Sequence, residues 1–475
     1  MSVSSKSNGG TVGIVGGGVT GLVAGFRLKQ RGIDVTVYEA SRRVGGVIQS
    51  TREDGFLAEH GPNSILETSP RIGALVTDLG LESRRIYSRP EAENRYIVRG
   101  ARPVAMPSSP LGFFSCDLFT WRAKLALLRE PFVRRSAPDV EENLAAFVLR
   151  RLGREFLDYA INPFVAGVYA GDPARLSVLH GFPKLRAIEQ QYGSLILGQI
   201  LGARQRKRRG EVSKQNAKKL SFDDGLQVLT DALGARLGAS LELGADVTGL
   251  ERFANDASGG WEVTVRDAEG RETRRKHAAV LLVSPAHRLA RLNLSGPGAQ
   301  SLAMLGDVRY PPVASVVLGY RREDVQHPLD GFGMLVPQVE NFRILGALFS
   351  STLFPNRAPN GCVTLTAYVG GTRAPELTER PMDEVVRMTQ EDLARILDIR
   401  GKPVFSHTVL YPRAIPQYEV GYGKYKEFMN RLESAMPGLY FAGHYRDGIS
   451  LGDSIVSGHT ADERIAGSPL FAKAS

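Results

Sequence analysis

Short apolar runs and longer helical stripes alternate from the start of the chain. Residues 11–15 form a run of the kind that makes a buried strand. Over 19–31 the apolar residues Leu22, Val23, Phe26 and Leu28 fall on one helical face, and 34–38 is β-branched again. This pattern predicts a strand–turn–helix–strand unit of about 30 residues, the opening of a doubly wound sheet.

Residues 90–210 read differently. Pro107, Pro110 and Leu111-Gly112-Phe113-Phe114 mark an irregular apolar stretch, followed by helical patterns at 121–134, 140–149 and 155–164. The basic tract Arg204-Gln205-Arg206-Lys207-Arg208-Arg209 opens what reads as an exposed loop over 204–219. Strand patterns return at 241–250, 261–266, 278–283, 313–320, 343–348 and 363–369. An amphipathic helix is expected at 382–397, a last strand at 439–442 and a closing helix at 451–465.

At 475 residues the chain exceeds what one core supports, so two or three lobes are expected. The net charge of +10 suits an anionic partner, whether phosphate, lipid headgroup or carboxylate, as well as a plain solvated surface. Nucleic acid is not expected, because the basic residues are dispersed and no recognition motif accompanies them. The two cysteines, Cys116 and Cys362, have no metal-ligand spacing. The first ten residues lack an apolar segment of the secretory type. No run of about 18 apolar residues predicts a membrane span.

The strongest local motif is Gly16-Gly17-Gly18-Val19-Thr20-Gly21, between the first strand and its helix. Glycines at 16, 18 and 21 suit a tight turn, close approach to a pyrophosphate and close helix–strand packing. Glu39 closes the second strand, where a carboxylate accepts hydrogen bonds from ribose hydroxyls. Next come Ala40, Arg42-Arg43-Val44-Gly45-Gly46-Val47 and Glu59-His60-Gly61-Pro62-Asn63-Ser64.

The second glycine pair resembles FAD enzymes of the amine-oxidase superfamily, and the Gly-Pro-Asn-Ser turn resembles the protoporphyrinogen oxidase family within it. The resemblance runs on through 163–173, Phe222-Asp223-Asp224-Gly225-Leu226-Gln227, 354–359, 415–418 and 443–453. Asp224 departs from a family glycine, which touches that turn's geometry only.

The resemblance implies an α/β molecule, α+β overall. A discontinuous Rossmann-like FAD domain is expected from 1–89, 211–285 and 411–475. A substrate domain with a mixed sheet spans 286–410, and 90–210 forms a mainly helical, membrane-facing lobe. It implies non-covalent FAD touching Gly16, Gly17, Gly18, Val19, Thr20, Gly21, Glu39, Ala40, Arg43, Gly45, Gly46, Val47, His60, Gly61, Pro62 and Asn63. Val247, Ser284, Gly443, Ile449, Ser450 and Leu451 complete that set. It implies a porphyrinogen substrate, with Arg95 pairing a propionate. Gly167 and Gly171 allow close approach, and Leu335, Leu348 and Tyr368 sandwich the macrocycle. O2 is the expected acceptor, and no catalytic side chain beyond the flavin and no metal are expected. Peripheral contact with the inner face of the membrane, a cytoplasmic location and a homodimer also follow from the resemblance.

Three other readings stay open. Coproporphyrinogen III oxidation uses the same chemistry. A flavin amine oxidase would commonly place a lysine in the strand at 313–320, and the covalent type needs a cysteine after Cys362; both are absent. A non-catalytic escort protein of this fold would not need intact FAD motifs.

Overall fold

The computed structural model describes residues 10–107, 109–137, 139–209, 217–253 and 259–471. Five parallel strands form the first sheet, in the order Leu241–Leu243, Val35–Glu39, Val12–Val15, Ala279–Leu282 and Leu439–Phe441. Helix Val19–Gln30 packs on it with helices Leu451–Ala466 and Gln227–Leu237, and this face buries Leu22, Val23, Phe26 and Leu28. The predicted stripe is therefore the core face. The other side of the sheet carries a four-stranded layer, Glu272–His277, Gly260–Arg266, Asp246–Phe253 and Asn293–Ser295, around a fully buried Trp261. The single strand expected over 241–250 is thus two strands in two sheets, broken at Gly244, which takes a φ of 69°.

A seven-stranded mixed sheet forms the second layer. Its order is Phe405–Tyr411, Val313–Arg321, Cys362–Gly370, Ile344–Leu348, Gly331–Leu335, Asn94–Arg99 and Arg102–Ala105. One face packs on helix Met382–Leu397 through Val316, Leu318, Met334, Ala347, Leu365 and Ala367. The helix stripe was legible because its apolar positions recur at 3.6-residue spacing over 16 residues. Asn94–Arg99 and Arg102–Ala105 lie outside the helical expectation for 90–210. Tyr96 and Val98 point into the sheet core, and the hairpin closes on Gly100 and Ala101, both at positive φ.

The remaining part of 90–210 is helical, but broken. The stretch expected at 121–134 is an α-helix, Trp121–Ala126, tightening into a 3₁₀ segment around Pro131. That at 140–149 starts later, at Leu144, where Asn143 caps the Ala146 N–H. That at 155–164 continues through a π-turn, Leu157–Ile161, into Asn162–Tyr169. The loop expected over 204–219 is corrected at both ends. Residues 204–209 end the helix Leu195–Arg209, whose sequence holds good helix formers and no proline. Lys219 begins the strand Lys219–Phe222, and 210–216 lie outside the described residues.

One buried ion pair joins these layers. Glu59, which ends strand Phe56–Glu59, and Arg357 are each 2% exposed, with Arg357 Nη2 3.3 Å from Glu59 Oε1. Glu59 also accepts from the Ser50 hydroxyl at 2.7 Å and the Leu226 N–H at 2.9 Å. Arg357 donates to the Ser221 hydroxyl at 2.7 Å. Its carbonyl accepts from the Leu57 N–H and the Thr364 hydroxyl. Burial pushes the Glu59 carboxyl up and the Arg357 guanidinium down in pKa. Removing one partner strands a desolvated charge. Arg357→Ala is expected to cost about 3–5 kcal/mol, read from denaturant unfolding. A loss under about 1 kcal/mol would show that water reaches Glu59 and replaces the arginine.

Candidate functional site

The glycine motif lies where strand Val12–Val15 ends and helix Val19–Gln30 begins. Gly16 takes a φ of 121°, in the region side chains avoid. A Cβ on Gly21 would lie 2.1 Å from the Gly16 carbonyl oxygen, so only glycine lets this helix approach the strand so closely. Around a Cβ at Gly18 there is open space. The helix start has no side-chain cap and no acidic residue in its first turn. Free N–H groups and the helix dipole thus face an uncrowded space, which suits a pyrophosphate. Thr20 turns elsewhere, its hydroxyl donating to the Ser454 carbonyl at 3.0 Å, and Val19 is buried.

Glu39 is held ready beside this turn. Its carboxylate accepts from the Gly17 N–H at 2.7 Å and the Ser41 N–H at 2.8 Å. Ala40 is exposed next to it. Ala245 N–H donates to the Glu39 carbonyl, which brings the strand carrying Val247 alongside. The second glycine pair closes over the first, since the Gly45 N–H donates to the Gly17 carbonyl at 2.9 Å. A Cβ on Gly46 would sit 3.5 Å from the Gly18 Cα. Arg43 braces this loop through the carbonyls of Gly46, Val44 and Ile48. Val47 is half exposed.

Ser284 donates to the Val15 carbonyl at 3.1 Å and so lies against the Gly16 turn. Gly443 takes a φ of 110°, and its N–H meets the Ser457 hydroxyl at 2.8 Å. Ser450 and Asp453 form a capping box at the start of helix Leu451–Ala466, with Ile449 and Leu451 packed into the two cores beside it. These glycines, the uncapped helix and the prepared carboxylate fit FAD.

The turn after Glu59 connects this cradle to the seven-stranded sheet. Asn63 donates to the Gly61 carbonyl at 3.1 Å and to the Tyr368 hydroxyl at 2.7 Å. Tyr411, opposite Val313 on the edge strand, donates to the Val47 carbonyl at 3.4 Å. Pro62 lies between these contacts and is partly buried. The His60 side chain turns away, its Nε2 2.8 Å from Thr51 Oγ1 and 3.0 Å from His407 Nε2. Burial, then the His407 and Arg43 charges, push His60 down to about 4, so its ring is neutral near pH 7.

Strand register decides which of the expected substrate residues meet. Tyr368 lies opposite Gly346, Gly346 opposite Leu335, Leu348 opposite Gly333, and Gly333 beside Arg95. Opposed residues share a sheet face, and alternate residues along a strand do too. Tyr368, Leu335, Leu348 and Arg95 are therefore on one face, the one away from helix Met382–Leu397. All four are partly exposed. Helix Asn162–Tyr169 crosses this face, and a Cβ on Gly167 would lie 2.3 Å from Leu335 Cδ2. Gly171 is brought instead against Gln417, 2.4 Å from its Oε1 by the same measure. Burial lowers the pKa of Arg95 and raises that of Tyr368.

Sequence reading missed Tyr411 and the pairing of Glu59 with Arg357, although both partners lie in quoted stretches. Tyr411 had a visible signal: Phe405, His407, Val409 and Tyr411 alternate along one strand face. The Glu59–Arg357 pair had none, because a contact across 298 positions leaves no local pattern.

The profile of the flavin containing amine oxidoreductase family matches residues 19–466. Protoporphyrinogen oxidase 2 of Arabidopsis thaliana is 34% identical, over 96% of this chain and 94% of its own. Coproporphyrinogen III oxidase of Bacillus subtilis (strain 168) is 29% identical, over 94% of this chain and 96% of its own. A crystal structure provisionally named protoporphyrinogen oxidase, from Exiguobacterium sp. 255-15, superposes with a TM-score of 0.77 at 22% identity, covering 96% of this chain and 98% of the other.

Gly21→Val is expected to abolish flavin retention, because the added side chain meets the Gly16 carbonyl head-on. Absorbance near the flavin band after gel filtration reads this, and retention of a full complement of flavin would refute the cradle. Cradle, prepared carboxylate and full-length similarity agree: the chain belongs to the flavin containing amine oxidoreductase family, on its protoporphyrinogen oxidase branch, and FAD is its cofactor.

Proposed function

We propose that this chain oxidises protoporphyrinogen IX to protoporphyrin IX, a six-electron reaction with O2 as final acceptor. The observation that carries this reading is the shared sheet face. Its near end, at Tyr368, is hydrogen-bonded to the Gly61 turn of the cradle, and its far end carries Arg95. By strand spacing the two are about 15 Å apart, room for a macrocycle and its carboxylate arms.

FAD, when bound, supplies the two-electron acceptor chemistry. The protein's part is to place and shield the substrate. Leu335 and Leu348 offer apolar contact to a macrocycle. Tyr368 offers a ring whose hydroxyl is already satisfied by Asn63 and Gly61, so it stacks without leaving a buried donor unpaired. Arg95 offers a guanidinium to a propionate. The residues expected to touch FAD keep those roles here as part of the proposal. So does the division into an FAD domain, a substrate domain and a helical lobe.

Coproporphyrinogen III is the second reading, favoured by the similarity to the Bacillus subtilis enzyme. An amine oxidase reading is weakened, because strand Val313–Arg321 holds no lysine. Porphyrin fluorescence after adding each porphyrinogen to the purified flavoprotein separates these readings. A rise with protoporphyrinogen IX above autoxidation supports the proposal, a rise with coproporphyrinogen III alone transfers it, and no rise with either overturns it. Arg95→Ala should raise KM about ten-fold or more with flavin content intact.

The reading extends to a cytoplasmic protein resting on the inner membrane face. Among the described residues no helix is long and apolar enough to cross a membrane. The helical lobe, however, exposes Leu111, Trp121, Leu125, Leu128 and Phe132, the last 89% exposed, among Arg122, Arg129 and Arg135. Such a patch suits an interface with anionic lipid. Flotation with anionic vesicles at low salt should capture the protein, and Phe132→Ser with Trp121→Ser should release it. Failure to float, with the patch instead buried in a concentration-dependent homodimer, would replace the membrane by a second copy.

A further inference from the structure

We propose that Tyr310 fixes His444 in the tautomer that carries its proton on Nδ1, and that this N–H donates to an oxygen of the bound FAD. The inference needs the cofactor alone and stands apart from the choice of substrate. It gives roles to two side chains to which the family resemblance assigns none.

The placement follows from the backbone around the pair. Gly443 lies just beyond strand Leu439–Phe441, and a Cβ on it would lie 3.6 Å from the Val283 carbonyl oxygen and 3.8 Å from Thr20 Oγ1. Thr20 belongs to the glycine motif, and Val283 precedes Ser284, which lies against the Gly16 turn. His444 therefore leaves the chain at the rim of the cradle. Its carbonyl is tied down by the Tyr418 hydroxyl at 2.5 Å. Its ring stands edge-on to those of Tyr310 and Tyr445, with centroids 5.8 and 6.2 Å away.

Hydrogen-bond accounting fixes the tautomer. The Tyr310 hydroxyl is buried and accepts from the Ala286 N–H at 3.1 Å. Its own proton needs an acceptor, because a buried donor is costly to leave unpaired. Among the described residues the acceptor within reach is His444 Nε2, at 3.3 Å. Burial raises the pKa of Tyr310, so it keeps that proton and donates it. His444 Nε2 thus presents a lone pair. Burial, then the His287 charge, pushes the His444 ring down to about 4, so it is neutral near pH 7. A neutral imidazole that accepts at one nitrogen carries its proton on the other. Among the described residues Nδ1 makes no hydrogen bond, and the partly exposed ring leaves it open to contact. At this rim the pyrophosphate and ribityl chain of FAD supply oxygens that can accept from it. The simpler role of the pair is to brace residue 286 against residue 444. A brace works whichever way the ring proton is placed, and this difference is testable.

His444→Asn puts an amide donor where Nδ1 stands, and His444→Gln puts one where Nε2 stands. FAD release from the holoprotein would be followed by flavin fluorescence, with thermal unfolding recorded beside it. His444→Gln is expected to speed release about ten-fold. His444→Asn should stay within about two-fold of the parent, with the two variants unfolding alike. Nitrogen NMR of holoprotein labelled at histidine, with His444 assigned by its loss in His444→Gln, should show the proton on Nδ1. Tyr310→Phe should give a mixture of both tautomers. Equal release from the two His444 variants overturns the bond to FAD. A proton on Nε2 in the parent, or an unchanged tautomer in Tyr310→Phe, overturns the lock. Should Tyr310→Phe not fold, the parent spectrum and the two His444 variants still decide.

Discussion

The Glu59–Arg357 pair is the contact on which the two halves of the molecule depend. Glu59 ends a strand that leads into the Gly61 turn of the cofactor cradle. Arg357 leads, through Thr364, into the long strand that carries Tyr368. A buried charge pair is a weak source of net stability, because desolvation offsets most of the attraction. It is a strong source of registration, because its geometry leaves few alternatives. Ser50, Ser221 and the Leu226 N–H absorb the remaining hydrogen-bonding capacity of the pair. Four strands and a helix start are thereby fixed around one point.

That registration matters because the chemistry is divided between layers. The parallel sheet contributes an uncapped helix and glycines that fit the cofactor, and the mixed sheet contributes the face that carries Tyr368, Leu335, Leu348 and Arg95. The buried pair holds that face at a set distance and angle from the cradle. The second weld is smaller. Phe56 stacks on Phe405 at 4.8 Å, and Gly319 makes room for it, since a Cβ there would lie 2.4 Å from Phe56 Cε1. His60 meets His407 just beyond, and Tyr411 meets Val47. Phe405, His407 and Tyr411 lie on the same strand face, so one edge strand seams the sheet to the cradle.

Local patterns made much of this visible beforehand. The glycine motif, Glu39 and the helix stripe at Leu22 and Phe26 are set by near neighbours, and they stand where their spacing put them. Long strands such as Val313–Arg321 and Cys362–Gly370 announce themselves by composition. The hairpin of Asn94–Arg99 and Arg102–Ala105 did not, because strands of six and four residues at the edge of a sheet carry little periodicity of their own. Arg95 was reached through family resemblance. Its position on one face with Leu335, Leu348 and Tyr368 depends on register across four strands. Register is a property of pairing, and no single segment encodes it.

The far end of the face lies outside the local motifs for the same physical reason. Motifs accumulate where a backbone must adopt one conformation, as at Gly16 and Gly21. A cation needs only to arrive within reach of a flexible, charged arm, and many backbones can deliver one. Arg95 arrives by way of the strand Asn94–Arg99, whose register is set by pairing with Gly331–Leu335. The far end of the face is thus set by strand pairing, while the cradle is set by local backbone conformation.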